Sequence, residues 1–149
     1  MKLFDLKKIH FFATGSFRLP QKKDKRKLFE RIFTKENKDL YKLSFIFCSD
    51  EELLDLNRKH LDHDFYTDIL TFDLSENEDS IISEIYISTD RVRENAKQLK
   101  IPFLLELTRV IIHGALHLCG YRDKMKSEIF IMRQKEDHYL RFYEKLDKI

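Results

Sequence analysis

The stretch Val110-Ile111-Ile112-His113-Gly114-Ala115-Leu116-His117-Leu118-Cys119-Gly120-Tyr121-Arg122-Asp123 decides how the rest of the chain is read. Its first part is apolar on most sides, and Pro102 suits the first turn of a helix. A helix from about 102 to Cys119 is therefore expected at the buried centre of the fold. Gly120 lies where a helix-terminating glycine belongs, because the chain must reverse there with positive φ. His113 and His117 are four residues apart, a spacing that stacks both imidazoles on one helix face, close enough to share an ion. Asp123, three residues past the glycine, can fold back beneath them. Two imidazoles and one carboxylate make the three-ligand set typical of a catalytic zinc site, with a fourth position left for water.

A lone histidine on an apolar helix is more often a core residue with satisfied nitrogens than a ligand. The glycine stop and the acid after it shift that balance toward one zinc ion per chain on His113, His117 and Asp123. In the zinc-protease pattern H-E-x-x-H the glutamate is the general base. Here that position is Gly114, so a protease of that type lacks its base. Gly114 either leaves room for a bulky substrate or allows close helix packing, with packing favoured. Cys119 is two residues from His117 and so points away from the ligand face. His60 and His63 fall in a polar stretch, and His10 and His138 have no partner at ligand spacing.

Outward from this helix, residues 9–12 read as a short strand and 22–38 as an amphipathic helix on Leu28, Phe29, Ile32 and Phe33. Tyr41 to Cys48 alternates with period two and reads as a strand. Ser49 and Glu52 form a capping box ahead of a short helix, followed by a polar loop at 58–68. Ile69–Phe72 and Ile81–Ile87 are two more strands, joined by an acidic hairpin-like turn over Ser75–Ser80. Ser88 or Thr89 caps a helix carrying Val92, Ala96 and Leu99. A last helix covers 127–146, with Ile129, Met132, Tyr139 and Phe142 inward. The expected architecture is α+β: a single domain, 1–149, with a small mixed sheet, about five helices and the metal site on the central buried helix.

Composition bounds the function classes. With 13 Phe and 6 Tyr in 149 residues the chain can bury a sizeable core, and with three Gly and two Pro it has no long flexible linker. A net charge of +2 excludes histone-like bulk basicity, so an RNA partner needs a local patch. The densest basic run is Lys22, Lys23, Lys25 and Arg26 with Lys27, and Arg91, Arg93 and Lys97 form a second. Cys48 and Cys119 make no disulfide framework, which points to a reducing, cytoplasmic setting without a disulfide-linked partner. Charges interrupt Met1–Lys8 before a signal-peptide core can form. No apolar run is long enough to span a bilayer.

The stretch His113–Asp123 resembles the signature of the YbeY family of endoribonucleases, H-G-x-L-H-L-x-G-Y-D-H. His113, Gly114, Leu116, His117, Leu118, Gly120 and Tyr121 match directly. Leu56-Asn57 with Thr67-Asp68-Ile69-Leu70-Thr71-Phe72 looks like the family's L-N…T-D-V-L-S-F block, and Ser83–Ser88 like its G-D-I-x-I-S strand. There are departures. Asp123 stands where the family usually has a third histidine, and Arg122 where it has an acid. His60-Leu61 stands where it has Tyr-Arg, so an arginine proposed to contact phosphate is absent at 61. The carboxylate of Asp123 lowers the metal's effective charge and makes its water less acidic.

The resemblance implies a zinc-dependent, single-strand-specific endoribonuclease acting in 3′ end maturation of small-subunit rRNA and ribosome quality control. Its partners would be ribosomal RNA and the small subunit. Glu84 and Asp68 are candidate general bases only because the matching blocks contain them; a carboxylate bonded to backbone is an equal reading of each. The alternatives are a non-enzymatic ribosome-assembly factor with structural zinc and a metallohydrolase of another substrate.

Overall fold

The computed structural model describes residues 8–63, 65–77 and 80–146. Its elements run β1 (Ile9–Ala13), α1 (Lys22–Lys35), β2 (Leu40–Cys48), α2 (Asp50–Leu61), β3 (Ile69–Asp73), β4 (Ile81–Ser88), α3 (Thr89–Leu99), α4 (Phe103–Leu118) and α5 (Lys126–Leu146). The fold is α+β with one four-stranded mixed sheet, in the order β1-β2-β4-β3. β2 pairs in parallel with β1 and β4, and β3 runs antiparallel along the outer edge of β4. The β3–β4 pairing fits the hairpin expected over Ser75–Ser80, of which 78 and 79 lie outside the described residues, as do Met1–Lys7.

Alternation along the strands sorts side chains onto two faces. Leu43, Phe45, Phe47, Ile85 and Ile87 join the main core with Phe29, Phe33, Leu107, Ile111, Leu116 and Tyr139 from α1, α4 and α5. On the opposite face Leu53 of α2 packs with Leu70 and Cys48, flanked by Phe72 and Tyr86. Gly114 lets α4 lie close against the sheet. A Cβ there would lie 2.8 Å from Ile69 Cδ1 and 3.2 Å from Ile85 Cδ1. Its missing side chain serves packing, not substrate space.

A serine caps the helix that follows each inner strand, Ser49 just after β2 and Ser88 at the end of β4. Ser49 accepts from Glu52 N while Glu52 accepts from Ser49 N, the expected capping box. Ser88 Oγ accepts from Arg91 N and donates to Asp50 Oδ1 at 2.9 Å, and Arg91 adds an ion pair to Asp50 at 2.7 Å. The first turns of α2 and α3 are thereby tied together beside the carboxyl ends of β2 and β4.

Several boundaries differ from the sequence expectation. α1 stops at Lys35, not 38, because Asn37 takes positive φ (56°) and the Asn37 and Lys38 amides turn back to Thr34 O and Phe33 O. The expected loop at 58–68 begins later, since α2 continues to Leu61 and ends on Asp62 at φ 55°. Ile129 is 41% exposed, because the first turn of α5 projects past the core. The buried stripe of α5 is Met132, Glu136, Tyr139 and Tyr143, with Phe142 half-buried. Cys48 and Cys119 are free and buried, and burial pushes both thiols up to about 12. No single helix among the described residues is long and apolar enough to cross a membrane.

Candidate metal centre

The centre is made by the way α4 stops. Gly120 has φ 101°, its amide reaches His117 O, and the Tyr121 amide reaches Leu116 O at 3.1 Å. These two bonds close the helix end in a Schellman turn and reverse the chain. The reversal places the Tyr121 carbonyl 2.9 Å from His117 Nδ1 and brings Asp123 back against both imidazoles. His113 Nε2 and His117 Nε2 are 2.9 Å apart, and Asp123 Oδ2 lies 3.2 and 3.4 Å from them. No other group of three His, Cys, Asp or Glu side chains among the described residues converges in this way.

The hydrogen bonds fix which nitrogens are free. A carbonyl only accepts, so His117 Nδ1 carries the proton that faces Tyr121 O. His113 Nδ1 lies 2.6 Å from Glu136 Oε2, again an acceptor. In the neutral imidazoles both Nε2 atoms then present lone pairs, toward each other and toward a carboxylate oxygen. Three facing lone pairs repel unless positive charge sits among them. Donors on a tetrahedral zinc with arms of ~2.0–2.1 Å are about 3.3 Å apart, close to the separations found here. The donor set fits a zinc-type ion.

His113 and Asp123 open onto a cleft of about 450 Å³, lined also by Asp68, Glu106, Arg109 and Arg133. Burial pushes the His113 imidazole down, but the bond and charge of Glu136, then Asp123 and Asp68, outweigh it and raise its proton affinity. Burial raises the Asp68 carboxyl, only partly opposed by the His113, Arg109 and Arg91 charges. Behind the centre, Glu36 collects the hydroxyls of Tyr121 and Tyr139 and the ammonium of Lys135. Burial raises this carboxyl, yet those three bonds prevail and hold it below its usual value.

The other expected site residues separate. Asp68 lies in the cleft with His113 and Asp123. Glu84 does not: it sits beside Tyr86, accepts from that hydroxyl at 2.7 Å, and belongs to the α2 face of the sheet, away from α4. From that face it cannot serve as general base at the α4 centre. Lys25 is 2% exposed, with Nζ bonded to Pro20 O at 2.8 Å and Tyr143 Oη at 3.0 Å, so it cannot meet RNA. Arg26 is half-buried, donating to Ile9 O and lying over the Phe11 ring. Lys22, Lys23 and Lys27 are exposed. This run meets α5 at Tyr143, about 10 Å of helix rise beyond Glu136, away from the cleft. Arg91 is held by Asp50.

Sequence reasoning missed Glu136, Glu106 and Arg109. The available signal was register: Glu136 shares a helix face with Met132 and Tyr139, and Glu106 begins an apolar helix, and acids at inward positions need partners.

The family model described as Endoribonuclease YbeY matches residues 14–144. The Endoribonuclease YbeY of Flavobacterium psychrophilum is 47% identical over 112 residues, 75% of this chain and 79% of that one. That of Christiangramia forsetii is 43% identical over 135 residues, 91% and 94% of the two chains. The solution structure of TM1509 from Thermotoga maritima superposes with a TM-score of 0.60 at 30% identity, covering 91% of this chain and 88% of that one.

Proposed function

This chain belongs to the endoribonuclease YbeY family, and on that premise we propose that it is a zinc-dependent endoribonuclease that cuts single-stranded RNA. Its proposed place is the cytoplasm, in 3′ end maturation of small-subunit rRNA. The observation that carries the reading is the convergence of His113 Nε2, His117 Nε2 and Asp123 Oδ2, their other contacts leaving only lone pairs inward. A zinc ion held there supplies Lewis-acid polarisation of a phosphoryl oxygen and makes water acidic enough to be a nucleophile near neutral pH.

This chain's residues supply the rest. Asp68 faces the same cleft, and burial holds its carboxyl above the usual range, so it can take a proton from the attacking water. The cleft is lined by four carboxylates, Asp68, Glu106, Asp123 and Glu136, against two guanidiniums, Arg109 and Arg133. A divalent cation brings that lining to neutrality, so a phosphodiester enters only the metal-loaded cleft. Leu61 is 43% exposed and offers no charge. Arg133, exposed on the cleft wall, is placed to meet a phosphate there.

The test is purified protein on precursor rRNA and on unstructured RNA, with and without chelator. The proposal expects cleavage of both in zinc and none in chelator. Rescue of rRNA maturation by a cleavage-dead, zinc-loaded variant would favour the non-enzymatic assembly factor.

A further inference from the structure

The two histidines of the triad are held by unlike partners. His117 Nδ1 faces a main-chain carbonyl, which is neutral and cannot be altered by mutation. His113 Nδ1 faces Glu136, a side chain from a different helix, 4% exposed, at 2.6 Å. The carboxylate of Glu136 divides its two oxygens. Oε2 takes His113, while Oε1 lies 3.5 Å from Arg109 Nη1. Arg109 is itself fixed by both oxygens of buried Glu106, at 2.7 and 2.8 Å. The chain Glu106–Arg109–Glu136–His113 thus joins α4 to α5 and ends on the imidazole that faces the cleft.

We propose that Glu136 is the positioning residue of this centre: held in place by Arg109, it fixes His113 in the Nδ1–H tautomer and makes Nε2 the stronger of the two imidazole donors. The physics is direct. A carboxylate behind an N–H pulls the proton toward itself and raises electron density at the opposite nitrogen, and such outer partners are worth about 10–100-fold in metal affinity. Arg109 sets its positive charge against the second oxygen of Glu136, and Glu106 holds Arg109 in register. Because Glu136 rides on α5 and His113 on α4, ligand geometry is coupled to the docking of these two helices. Metal binding therefore tightens the α4–α5 contact as well as occupying the site. This inference rests on the triad being a metal site.

The test uses the full chain and Zn²⁺ or Co²⁺ alone. Glu136→Gln keeps shape and an acceptor but removes the charge. It should weaken zinc binding about 10–100-fold in chelator competition, alter the Co²⁺ visible spectrum, and shrink the rise in Tm that zinc produces. Glu136→Asp, which keeps the charge, should recover part of the affinity. Lys25→Met, a buried change on α1 where it meets Tyr143 near the far end of α5, controls for lost stability: it should lower the Tm without moving the zinc Kd. In the metal-free protein, nitrogen NMR should find His113 as the Nδ1–H tautomer in wild type and a mixture in Glu136→Gln. Equal zinc affinity in wild type and Glu136→Gln, or an unchanged tautomer, overturns the inference and leaves the metal reading standing. A wild type that binds neither ion overturns both.

Discussion

The end of α4 and the start of α1 lie on the same face of the sheet, and each gathers polar residues at a helix terminus. At the end of α4 they converge: three donor atoms within 3.4 Å, two of them oriented from behind by acceptors. At the start of α1 they disperse. Lys22 and Lys23 point to solvent, Lys25 is buried under Tyr143, and Arg26 lies along Phe11. The difference is geometric. Residues four apart share a helix face, whereas consecutive residues are turned about 100° from one another and cannot. A functional cluster on a helix needs spacing, or a chain reversal such as the one at Gly120; density of charge in the sequence does not produce one.

The largest expected effect falls at the end of α4. Asp123→Ala should abolish both zinc retention and RNA cleavage, while Asp123→His, which keeps a ligand and removes a negative charge, should preserve zinc and leave cleavage equal or faster. Asp68→Asn should keep zinc yet slow cleavage by roughly 10²–10⁴-fold, the range for a lost general base. Normal cleavage by Asp68→Asn in single-turnover assays would remove it from the mechanism.

Next in size is the reversal itself. A Cβ at Gly120 meets nothing within 4 Å, so Gly120→Val acts through the backbone, not through a clash. Forcing a branched residue to positive φ costs about 1–2 kcal/mol, and the loss should appear in denaturant melts together with weaker zinc binding. Stability lost at unchanged zinc affinity would detach the turn from the centre.

Lys25 and its neighbours then separate structure from binding. Lys25→Met leaves Pro20 O and the Tyr143 hydroxyl without this partner and should cost about 1–3 kcal/mol. Lys22→Met and Lys23→Met should stay within about 0.5 kcal/mol. If either exposed lysine meets RNA, its loss lowers the salt slope of binding by about 0.7 per phosphate contact; an unchanged slope assigns the run to solvent.

The smallest effect is confined to acid. Glu36 is held below its ordinary value, so its contribution is present above that value and fades as the pH falls through the folded one. Glu36→Gln should therefore be less stable than wild type near neutrality, and the two should approach each other in urea midpoints measured toward pH 3. A constant gap across that range would contradict the sign.

Much of this was legible in the residues. Period-two runs marked β2 and β4, the Ser49–Glu52 box marked α2, and the His113–His117 spacing with Gly120 placed the ligand face and its stop. What was not legible depended on tertiary contact. Asn37 and Asp62 end helices with positive φ although neither is glycine, so α1 and α2 had no obvious stop. The burial of Lys25 depends on Tyr143, and the partnership of Glu136 with His113 spans two helices. Glu84 alternates correctly along β4 and still faces the wrong side, because period two assigns faces without saying which one α4 covers.

The central claim is that the closing turn of α4 builds a one-ion metal centre. Metal analysis and zinc titration of the wild type beside the His113→Ala/His117→Ala variant test it most directly. The wild-type chain should hold one ion tightly and the folded variant none. Full retention of the ion by the variant would contradict it.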